Sequence, residues 1–384
     1  MKLIYILSLL FSSLFSFTQA LIPNPPQLSA TSYLLLDAKT LKVISEDNSN
    51  QSTGLASITK IMTAYVVADQ INKGFLKNDV PVKISEKCWR TEGSRMFVKE
   101  GTEVSVEDLM LGVIVQSGND ASCALAEHIA GSEYDFSILM NEYAKEMELE
   151  ETNFMNPTGL PDVNHYSTAK DIAKLSIRLI EDYPETYKIF SQKEFTYNDI
   201  RQLNRNSLLW QDDSIDGIKT GHTSSSGYCM VSSAKRGDMR LIAVTLNSAS
   251  EKARLRDSRR LLDYGFRYYS TKKILSKYET VSSVEVWAGN QDNLNLGPAE
   301  DIYLTLTKPE FNALELVVSK NLGVKAPIEK NDVLDSLDFF VEGQKLKSID
   351  LVAVKTVDSK GMLSSAFEAI GFYIYSFFMQ DEVN

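Results

Sequence analysis

Residues 55–67 contain the pair of side chains with the clearest capacity for chemistry, Ser57 and Lys60. Residues three positions apart on a helix share one face, so the two side chains would lie side by side. A serine becomes a useful nucleophile when a neighbour takes its proton, and a lysine can do so only when burial or a nearby positive charge keeps it neutral. Because an apolar run at helical spacing comes next, we predict a loop that delivers Ser57 to the first turn of a largely buried helix.

The Ser-x-x-Lys spacing is a weak indication when it stands alone. A serine that caps a helix, followed by a solvated lysine, gives the same pattern without any chemistry. The spacing recurs in this chain at Ser167/Lys170, Ser232/Lys235 and Ser270/Lys273. The nucleophile hypothesis therefore depends on partner residues elsewhere in the chain.

A second candidate lies on a loop between two predicted helices, where Gly118 separates Ser117 from Asn119. A glycine lets the backbone turn so that both polar side chains can face one cleft. The alternative is that either residue only caps the next helix. Ser319 and Asn321 show the same spacing at a place where no other candidate motif supports a function.

A third candidate is the predicted strand 216–223, which contains Lys219, Thr220 and Gly221. Its ammonium, its hydroxyl and a backbone without an obstructing Cβ suit the carboxylate of an extended peptide. The alternative is an ordinary edge strand. Outside these motifs, His165 stands at a helix start, where a structural hydrogen bond is expected rather than a general base.

Composition limits the function classes. The chain has 384 residues, enough for about two domains, and a formal net charge of −11, with no basic patch suited to a nucleic acid. Its three cysteines, Cys88, Cys123 and Cys229, lack paired spacing, and we expect three buried free thiols. No metal-ligand spacing is present in the sequence.

Residues 1–20 are predicted to be a secretory signal peptide. Lys2 supplies the positive start, residues 3–17 the apolar centre, and Ala20 a small residue suited to cleavage. The alternative is a membrane-spanning anchor, for which the run is short. The mature protein is therefore expected to work outside the cytoplasm.

The pattern of apolar residues predicts helices and strands in mixed order. The predicted helices are the one after Ser57, ending near Gly74, and 106–112, 121–130, 132–149, one opened by Ser167 or Thr168, and 250–269. The predicted strands are 33–37, 43–45, 216–223, 228–231, 241–246, 283–287, 302–306 and 349–354.

In chain order, Ser57-x-x-Lys60, Ser117-x-Asn119 and Lys219-Thr220-Gly221 form the trio typical of penicillin-binding proteins and class A β-lactamases. The chain resembles the low-molecular-mass penicillin-binding proteins, specifically the D-alanyl-D-alanine carboxypeptidases that include penicillin-binding protein 5, serine peptidases of the Ser-x-x-Lys type. The similarity covers nearly the whole chain and is strongest in segments 55–60, 117–121, 156–160, 165–169 and 219–223. Cys88 and Cys229 depart from the family pattern.

The resemblance implies an α/β (α+β) fold with a serine β-lactamase/transpeptidase-like domain at residues 21–275. It also implies a small β-rich domain at residues 276–356 and an amphipathic, membrane-anchoring helix at residues 357–384. The tail repeats apolar residues at helical spacing, and residues 358–380 would lie on the membrane surface. The alternative is a core helix packed on the second domain. The implied location is the periplasm, on the outer face of the cytoplasmic membrane.

The resemblance also implies a mechanism, in which Ser57 is the nucleophile and Lys60 the general base. Ser117 would relay a proton to the departing D-alanine, and Asn119 would hold the substrate amide. The implied substrate-binding residues are Lys219, Thr220, Gly221, His222, Thr223 and, as a weaker candidate, Arg205. The substrate would be the D-Ala-D-Ala end of a peptidoglycan stem pentapeptide, β-lactams would acylate Ser57, and no metal or organic cofactor is required.

Three alternatives remain at this point. A class A β-lactamase would need a Glu-x-x-Leu-Asn loop, and residues 150–154 lack that pattern. A DD-endopeptidase acting on cross-links would use the same site. A non-catalytic binding or scaffolding protein would work through its β-rich domain, but retention of all three motifs argues against it.

Overall fold

The computed structural model describes residues 22–319 and 323–360. The predicted signal peptide and residues 361–384 of the predicted tail helix lie outside the described residues. Within the described part of the chain, no helix combines the length and the apolar character needed to cross a membrane.

Helices are concentrated in the first two thirds of the chain. In chain order they are α1 (Lys60–Asn72), α2 (Glu86–Arg90), α3 (Val106–Leu111), α4 (Asn119–Ala130), α5 (Glu133–Glu146), α6 (Ala169–Asp182), α7 (Pro184–Tyr187), α8 (Glu251–Tyr268) and α9 (Lys308–Asn312). Short 3₁₀ turns lie at Ala56–Thr59, Lys188–Ser191 and Ser207–Trp210, and a π turn at Gly112–Gln116.

Strands are distributed along the described chain and predominate after α8. In chain order they are β1 (Ser32–Asp37), β2 (Val43–Asp47), β3 (Pro81–Lys83), β4 (Glu103–Ser105), β5 (Glu194–Tyr197), β6 (Ile200–Leu203), β7 (Ile215–Thr223), β8 (Gly227–Arg236), β9 (Met239–Ser248), β10 (Tyr269–Leu275), β11 (Ser282–Trp287), β12 (Asn293–Pro298), β13 (Ile302–Thr307), β14 (Leu314–Val318), β15 (Val324–Lys325), β16 (Val333–Val341) and β17 (Gln344–Ala353).

A five-stranded antiparallel sheet in the order β2-β1-β9-β8-β7 lies at the centre of the first part. Alternate side chains on β1 enter two separate cores, because successive residues of a strand point to opposite faces. Leu34 packs with α1 and the other helices on one face, and Leu35 packs with Leu261 of α8 on the other. β7, which carries Lys219, forms an edge of this sheet, so its free side can border a cleft.

The C-terminal part is built from strands and has a hydrophobic core of its own. Its six-stranded sheet has the order β14-β16-β17-β12-β11-β15, and β10 pairs with β13 in a separate ribbon. The ribbon contacts the first part through Thr271, whose hydroxyl donates to the buried carboxylate of Asp37 at 2.9 Å. The boundary predicted between residues 275 and 276 falls inside this ribbon region and stays a prediction.

The predicted elements agree with the structure in kind and approximate position. The helix after Ser57 ends at Asn72, close to the predicted Gly74, and the cap of α6 is Thr168, whose side chain accepts from the Asp171 amide. α6 was predictable because it has a clear apolar period and a recognisable cap, whereas α1, which no side chain caps, was predictable from its long apolar run. The structure therefore bears out the prediction of mixed helices and strands followed by a β-rich part.

The prediction of three free thiols is wrong for two of the cysteines. Cys88 of α2 and Cys123 of α4 form a disulfide, and Cys229 is free and buried. The two partners are 35 residues apart in sequence, and they meet because α2 packs against α4. Sequence spacing does not report such a contact, which arises only from tertiary packing.

We expect reduction of the Cys88–Cys123 disulfide to lower the free energy of unfolding by about 2–4 kcal/mol, because the bond restrains the unfolded chain. Thermal unfolding of the full-length protein with and without dithiothreitol measures this. The Cys88→Ser/Cys123→Ser double variant is the control, since its melting temperature should not respond to the reductant. Equal melting temperatures for oxidised and reduced wild-type protein would contradict the prediction.

Candidate active site

Ser57 and Lys60 lie at the junction between the 3₁₀ turn Ala56–Thr59 and α1. Ala56 adopts a left-handed backbone conformation (φ 49°), which bends the chain immediately before Ser57. Lys60 Nζ lies 3.1 Å from Ser57 Oγ, and the lysine is fully buried (0% exposed). The predicted pair is therefore within hydrogen-bond distance on one face, as the spacing indicated.

The Lys60 ammonium has two further partners. Its Nζ donates to Asn119 Oδ1 at 2.7 Å and to the Thr158 carbonyl at 2.6 Å. Burial lowers the lysine pKa from 10.5 to about 7, although the nearby Asp120 carboxylate opposes this shift. A neutral lysine is thus accessible near neutral pH, which is the state that can accept a proton.

Ser117 and Asn119 reach the same place from the other side. The π turn Gly112–Gln116 ends at Ser117, which is buried and left-handed (φ 66°), and Asn119 is the first residue of α4. No side chain caps α4 at Gly118, so the capping alternative does not describe this pair. Asn119 Nδ2 also donates to the Glu92 carbonyl at 2.6 Å, which fixes the orientation of its amide.

Lys219 is the second buried lysine of the site. Its Nζ donates to Ser117 Oγ and to the Thr220 carbonyl, each at 3.0 Å. Burial, and then the positive charges of Lys60, Arg254 and Arg205, lower the pKa of Lys219 well below its usual value. Hydrogen bonds therefore connect Ser57, Lys60 and Asn119 on one side of the site, and Ser117 and Lys219 on the other.

Two glycines allow this close packing. A Cβ on Gly221 would lie 2.9 Å from the Leu55 carbonyl oxygen and 3.1 Å from the Ser57 nitrogen, so β7 could not approach the Ser57 turn. Gly159 has φ +82°, and a Cβ there would lie 1.8 Å from the Ala56 carbonyl oxygen. Both positions need glycine because backbone meets backbone.

The other predicted substrate-binding residues differ in burial and in their hydrogen-bond partners. Thr220 is buried, and the exposed His222 ring stacks on Tyr228 with 4.0 Å between centroids. Thr223 Oγ1 accepts from the Ser226 amide at 3.0 Å and donates to Ser226 Oγ at 2.9 Å, so its hydroxyl stabilises a turn. The backbone amide of Arg205 donates to the Val115 carbonyl at 3.2 Å. The positive charge of the Arg205 side chain contributes to the lowered pKa of Lys219.

His165 is a structural hydrogen-bonder, as expected from its place in the sequence. The Met155 amide donates to Nδ1 at 3.2 Å, so Nε2 carries the proton and donates to Thr59 Oγ1 at 2.7 Å. Burial lowers the pKa of His165 to about 4, which keeps the ring neutral. The ring therefore supports the loop around Thr158 against the Ser57 turn.

Among the described residues, Cys88, Cys123 and Glu127 lie close enough together to be considered as metal ligands. Two of the three are joined in the disulfide and have no thiolate to offer. The prediction that the chain needs no metal or organic cofactor is not tested by this geometry and stays a prediction.

Two family models match the chain. The model described as D-alanyl-D-alanine carboxypeptidase matches residues 19–250, and the one described as penicillin-binding protein 5, C-terminal domain, matches residues 269–359. The chain belongs to the D-alanyl-D-alanine carboxypeptidase family. The membership confirms the predicted family, and with it the prediction of a serine-type D-Ala-D-Ala carboxypeptidase.

Individual relatives are similar in sequence to this chain over most of its length. D-alanyl-D-alanine carboxypeptidase DacA of Escherichia coli (strain K12) is 37% identical over 368 residues, which cover 94% of this chain and 91% of that protein. The solved structure of penicillin binding protein 5 from Haemophilus influenzae is 38% identical with a TM-score of 0.82, and the match covers 88% of this chain and 100% of that one. These matches confirm the predicted transpeptidase-like fold with a β-rich C-terminal domain.

Two more distant matches bear on activity. A D-alanyl-D-alanine endopeptidase of Escherichia coli (strain K12) is 30% identical over 248 residues, covering 62% of this chain and 77% of that protein. Penicillin-binding protein D2 from Listeria monocytogenes, solved in its ampicillin-bound form, is 29% identical with a TM-score of 0.59. That match covers 64% of this chain and 100% of the other.

The sequence analysis missed three contributors to this carboxypeptidase site. Asp120 accepts from the amides of residues 96–98 and opposes the pKa shift of Lys60. The Thr158 carbonyl accepts from Lys60, and buried Arg254 donates to the Gly221 carbonyl at 3.0 Å. Asp120 and Thr158 stand inside segments that resemble the family, which was the available signal, whereas nothing in the local sequence distinguishes Arg254.

We expect Gly159→Ala to slow D-alanine release by more than about tenfold, because its Cβ would displace the backbone that holds Ser57. Gly131→Ala is the matched control: Gly131 has φ +81°, and its added Cβ would meet nothing within 4 Å. The control should lose only about 1–2 kcal/mol of stability and keep its activity. Activity measured beside melting temperature tests this, and equal activity losses in the two variants would refute a specific role for the close approach.

Proposed function

We propose that the chain removes the terminal D-alanine from peptidoglycan stem pentapeptides through an acyl-enzyme on Ser57. The observation that supports this most directly is the fully buried Lys60 Nζ, 3.1 Å from Ser57 Oγ. Neutral Lys60 takes the Ser57 proton as Oγ attacks the carbonyl between the two D-alanines. Asn119 orients Lys60 through its Oδ1 and binds the substrate amide.

In this proposal the negative charge of the tetrahedral intermediate is stabilised by backbone amides. The N–H groups of Ser57 and His222 lie on the turn and the strand that pack together at Gly221. Such preorganised donors stabilise charge that develops in the transition state. They need no side chain, so the exposed His222 ring is not required for this role.

The substrate carboxylate is held by cationic and hydroxyl groups on β7. Lys219 and Thr220 supply the ammonium and the hydroxyl, with Arg205 adding a second positive charge beside them. Thr223 already serves a turn and plays a smaller part. An incoming carboxylate would favour the protonated form of Lys219, which burial otherwise disfavours.

Ser117 relays to the departing amine of D-alanine the proton that Lys60 took from Ser57, so Lys60 is neutral again when the amine leaves. Ser117 Oγ accepts from Lys219 at 3.0 Å, so the hydroxyl proton is free to point towards the substrate. Water then hydrolyses the acyl-enzyme, with Lys60 as the base that activates it. β-Lactams imitate the D-Ala-D-Ala end and are proposed to acylate Ser57 by the same route.

The location of the protein is also a proposal. A predicted signal peptide and the Cys88–Cys123 disulfide both support export to an oxidising compartment, because disulfides are rare in the cytosol. We propose that the mature protein works in the periplasm, and that residues 358–380 associate with the outer face of the cytoplasmic membrane.

DD-endopeptidase activity on cross-links is the second candidate function. The similarity to an endopeptidase over 248 residues favours it, because both reactions use one acyl-enzyme and differ only in the leaving group. A β-lactamase would need a carboxylate to activate the deacylating water. Residues 150–154 lack the Glu-x-x-Leu-Asn pattern that would supply it.

We expect Ser57→Ala and Lys60→Ala each to lower D-alanine release from a pentapeptide by at least about 10³-fold, since each removes a group that acts on the reacting bond. Lys170→Ala is the matched control, because Lys170 occupies the same Ser-x-x-Lys spacing but is exposed. Mass spectrometry of the products provides the measurement. Wild-type rates in either site variant would exclude this mechanism, and an inactive but folded wild-type protein would favour a scaffolding role.

We expect kcat/KM for D-alanine release to fall about tenfold per pH unit below about pH 7. The sign follows from the lowered pKa of Lys60: the lysine is protonated below that value and cannot accept the Ser57 proton. Initial rates between pH 5 and 8, at constant ionic strength, provide the profile. A rate that stays constant down to pH 5 would contradict the assignment of Lys60 as the base.

A further inference from the structure

We propose that a cleft beside Arg205 binds the side chain of the leaving amino acid and accepts D-residues longer than alanine. The inference deepens the proposed function and rests on it. The ligand class is a peptide whose D-alanyl carbonyl is joined to the amine of a D-amino acid with an extended, partly apolar side chain. A peptidoglycan cross-link presents such a bond to a DD-endopeptidase.

The cleft opens next to the candidate active site. It has a volume of about 400 Å³, within the range of roughly 300–1,000 Å³ typical of small-molecule sites. Its lining includes Arg205 and Gln116, which directly precedes Ser117. The apolar lining comes from Phe97, Ile200 and Leu203. The methyl group of a D-alanine would leave most of this volume unused.

Phe97 is held in an unfavourable backbone conformation that presents its ring to the cleft. Its φ is +68°, which is rare for a bulky residue, and its side chain is 46% exposed. The buried Asp120 carboxylate enforces this geometry by accepting from the Phe97 amide at 2.9 Å and from the amides on either side. Strain of this kind persists where surrounding contacts over-determine it, and it is concentrated at functional sites.

A second segment that lines the cleft, β6 and the residues after it, is equally well fixed. Gln202 of β6 is buried and donates from Nε2 to the Met96 carbonyl at 3.0 Å, which joins β6 to the Phe97 segment. Its neighbour Leu203 remains 51% exposed. Asn206 Nδ2 donates to the Gly217 carbonyl on β7 at 3.0 Å, so the segment carrying Arg205 has a fixed position relative to Lys219.

The chemistry of the leaving group directs its side chain to this cleft. In the proposed complex its amine lies beside Ser117, and its carboxylate lies between Lys219 and Arg205. The side chain on the same Cα then extends between Gln116 and Arg205 towards Phe97. The reaction is otherwise unchanged: the amide C–N bond breaks, the ester to Ser57 forms, and the released amine receives the proton from Ser117.

The test compares two substrates with the same acyl part in the full-length protein. One is an N-acetylated tripeptide ending in D-Ala-D-Ala, and the other ends in D-Ala joined to Nε-acetyl-D-lysine. Release of each terminal residue gives two values of kcat/KM, and their ratio is the measured quantity. The variants are Phe97→Ala and Leu203→Ala, which change two different segments that line the cleft. Phe75→Ala is the matched aromatic control, with 78% of its side chain exposed elsewhere.

We expect the wild-type protein to release both residues. Phe97→Ala and Leu203→Ala should each lower the ratio of long to short substrate by about tenfold, mainly through KM, whereas Phe75→Ala should leave it unchanged. Release of D-alanine alone by the wild type would overturn the subsite and leave the proposed function standing, as would an unchanged ratio in both variants. Release of neither residue would overturn both.

Discussion

The site depends on keeping one lysine out of water. Lys60 is fully buried, and desolvation brings its pKa to about 7, so the proton on its Nζ can be lost near neutral pH. Burial alone would leave an amine without partners, which costs free energy comparable to a lost hydrogen bond. Asn119 Oδ1 and the Thr158 carbonyl remove that cost. Both are neutral acceptors, so they hold the lysine in place without adding a contact charge that would fix it in the protonated state.

The second buried lysine brings several positive charges close together in the site. Lys219 lies near Lys60 and Arg254, and these like charges add to the desolvation that lowers its pKa. An anion placed beside Lys219 would relieve this repulsion, and a peptide ending in a free carboxylate supplies one. Specificity for a chain terminus would then arise from the cations clustered around Lys219, whereas burial is what lowers the pKa of Lys60. Asp120 limits the effect of burial on Lys60, because its negative carboxylate raises the pKa that burial lowers.

Sequence reasoning identified the chemistry better than the contacts that support it. Apolar runs and periodicity located α1, α6 and the strands of the central sheet, and a cap marked the start of α6. The order of three motifs indicated the family. The disulfide was missed because Cys88 and Cys123 meet only through packing of α2 on α4. Arg254 was missed for the same reason, since its partner is the backbone carbonyl of Gly221 on β7, which is distant from Arg254 in the sequence.

Three residues with an unfavourable backbone conformation lie around the reacting groups. Ala56, Phe97 and Ser117 all adopt left-handed backbone conformations without being glycine. Ala56 directly precedes Ser57, and Phe97 and Ser117 are themselves proposed to contact the substrate. Local propensity disfavours each of them, so tertiary contacts must hold them: Asp120 accepts from the Phe97 amide, and Gly159 leaves room for the Ala56 carbonyl. A motif can therefore predict which side chains react, but their orientation comes from strained turns that no short stretch of sequence encodes.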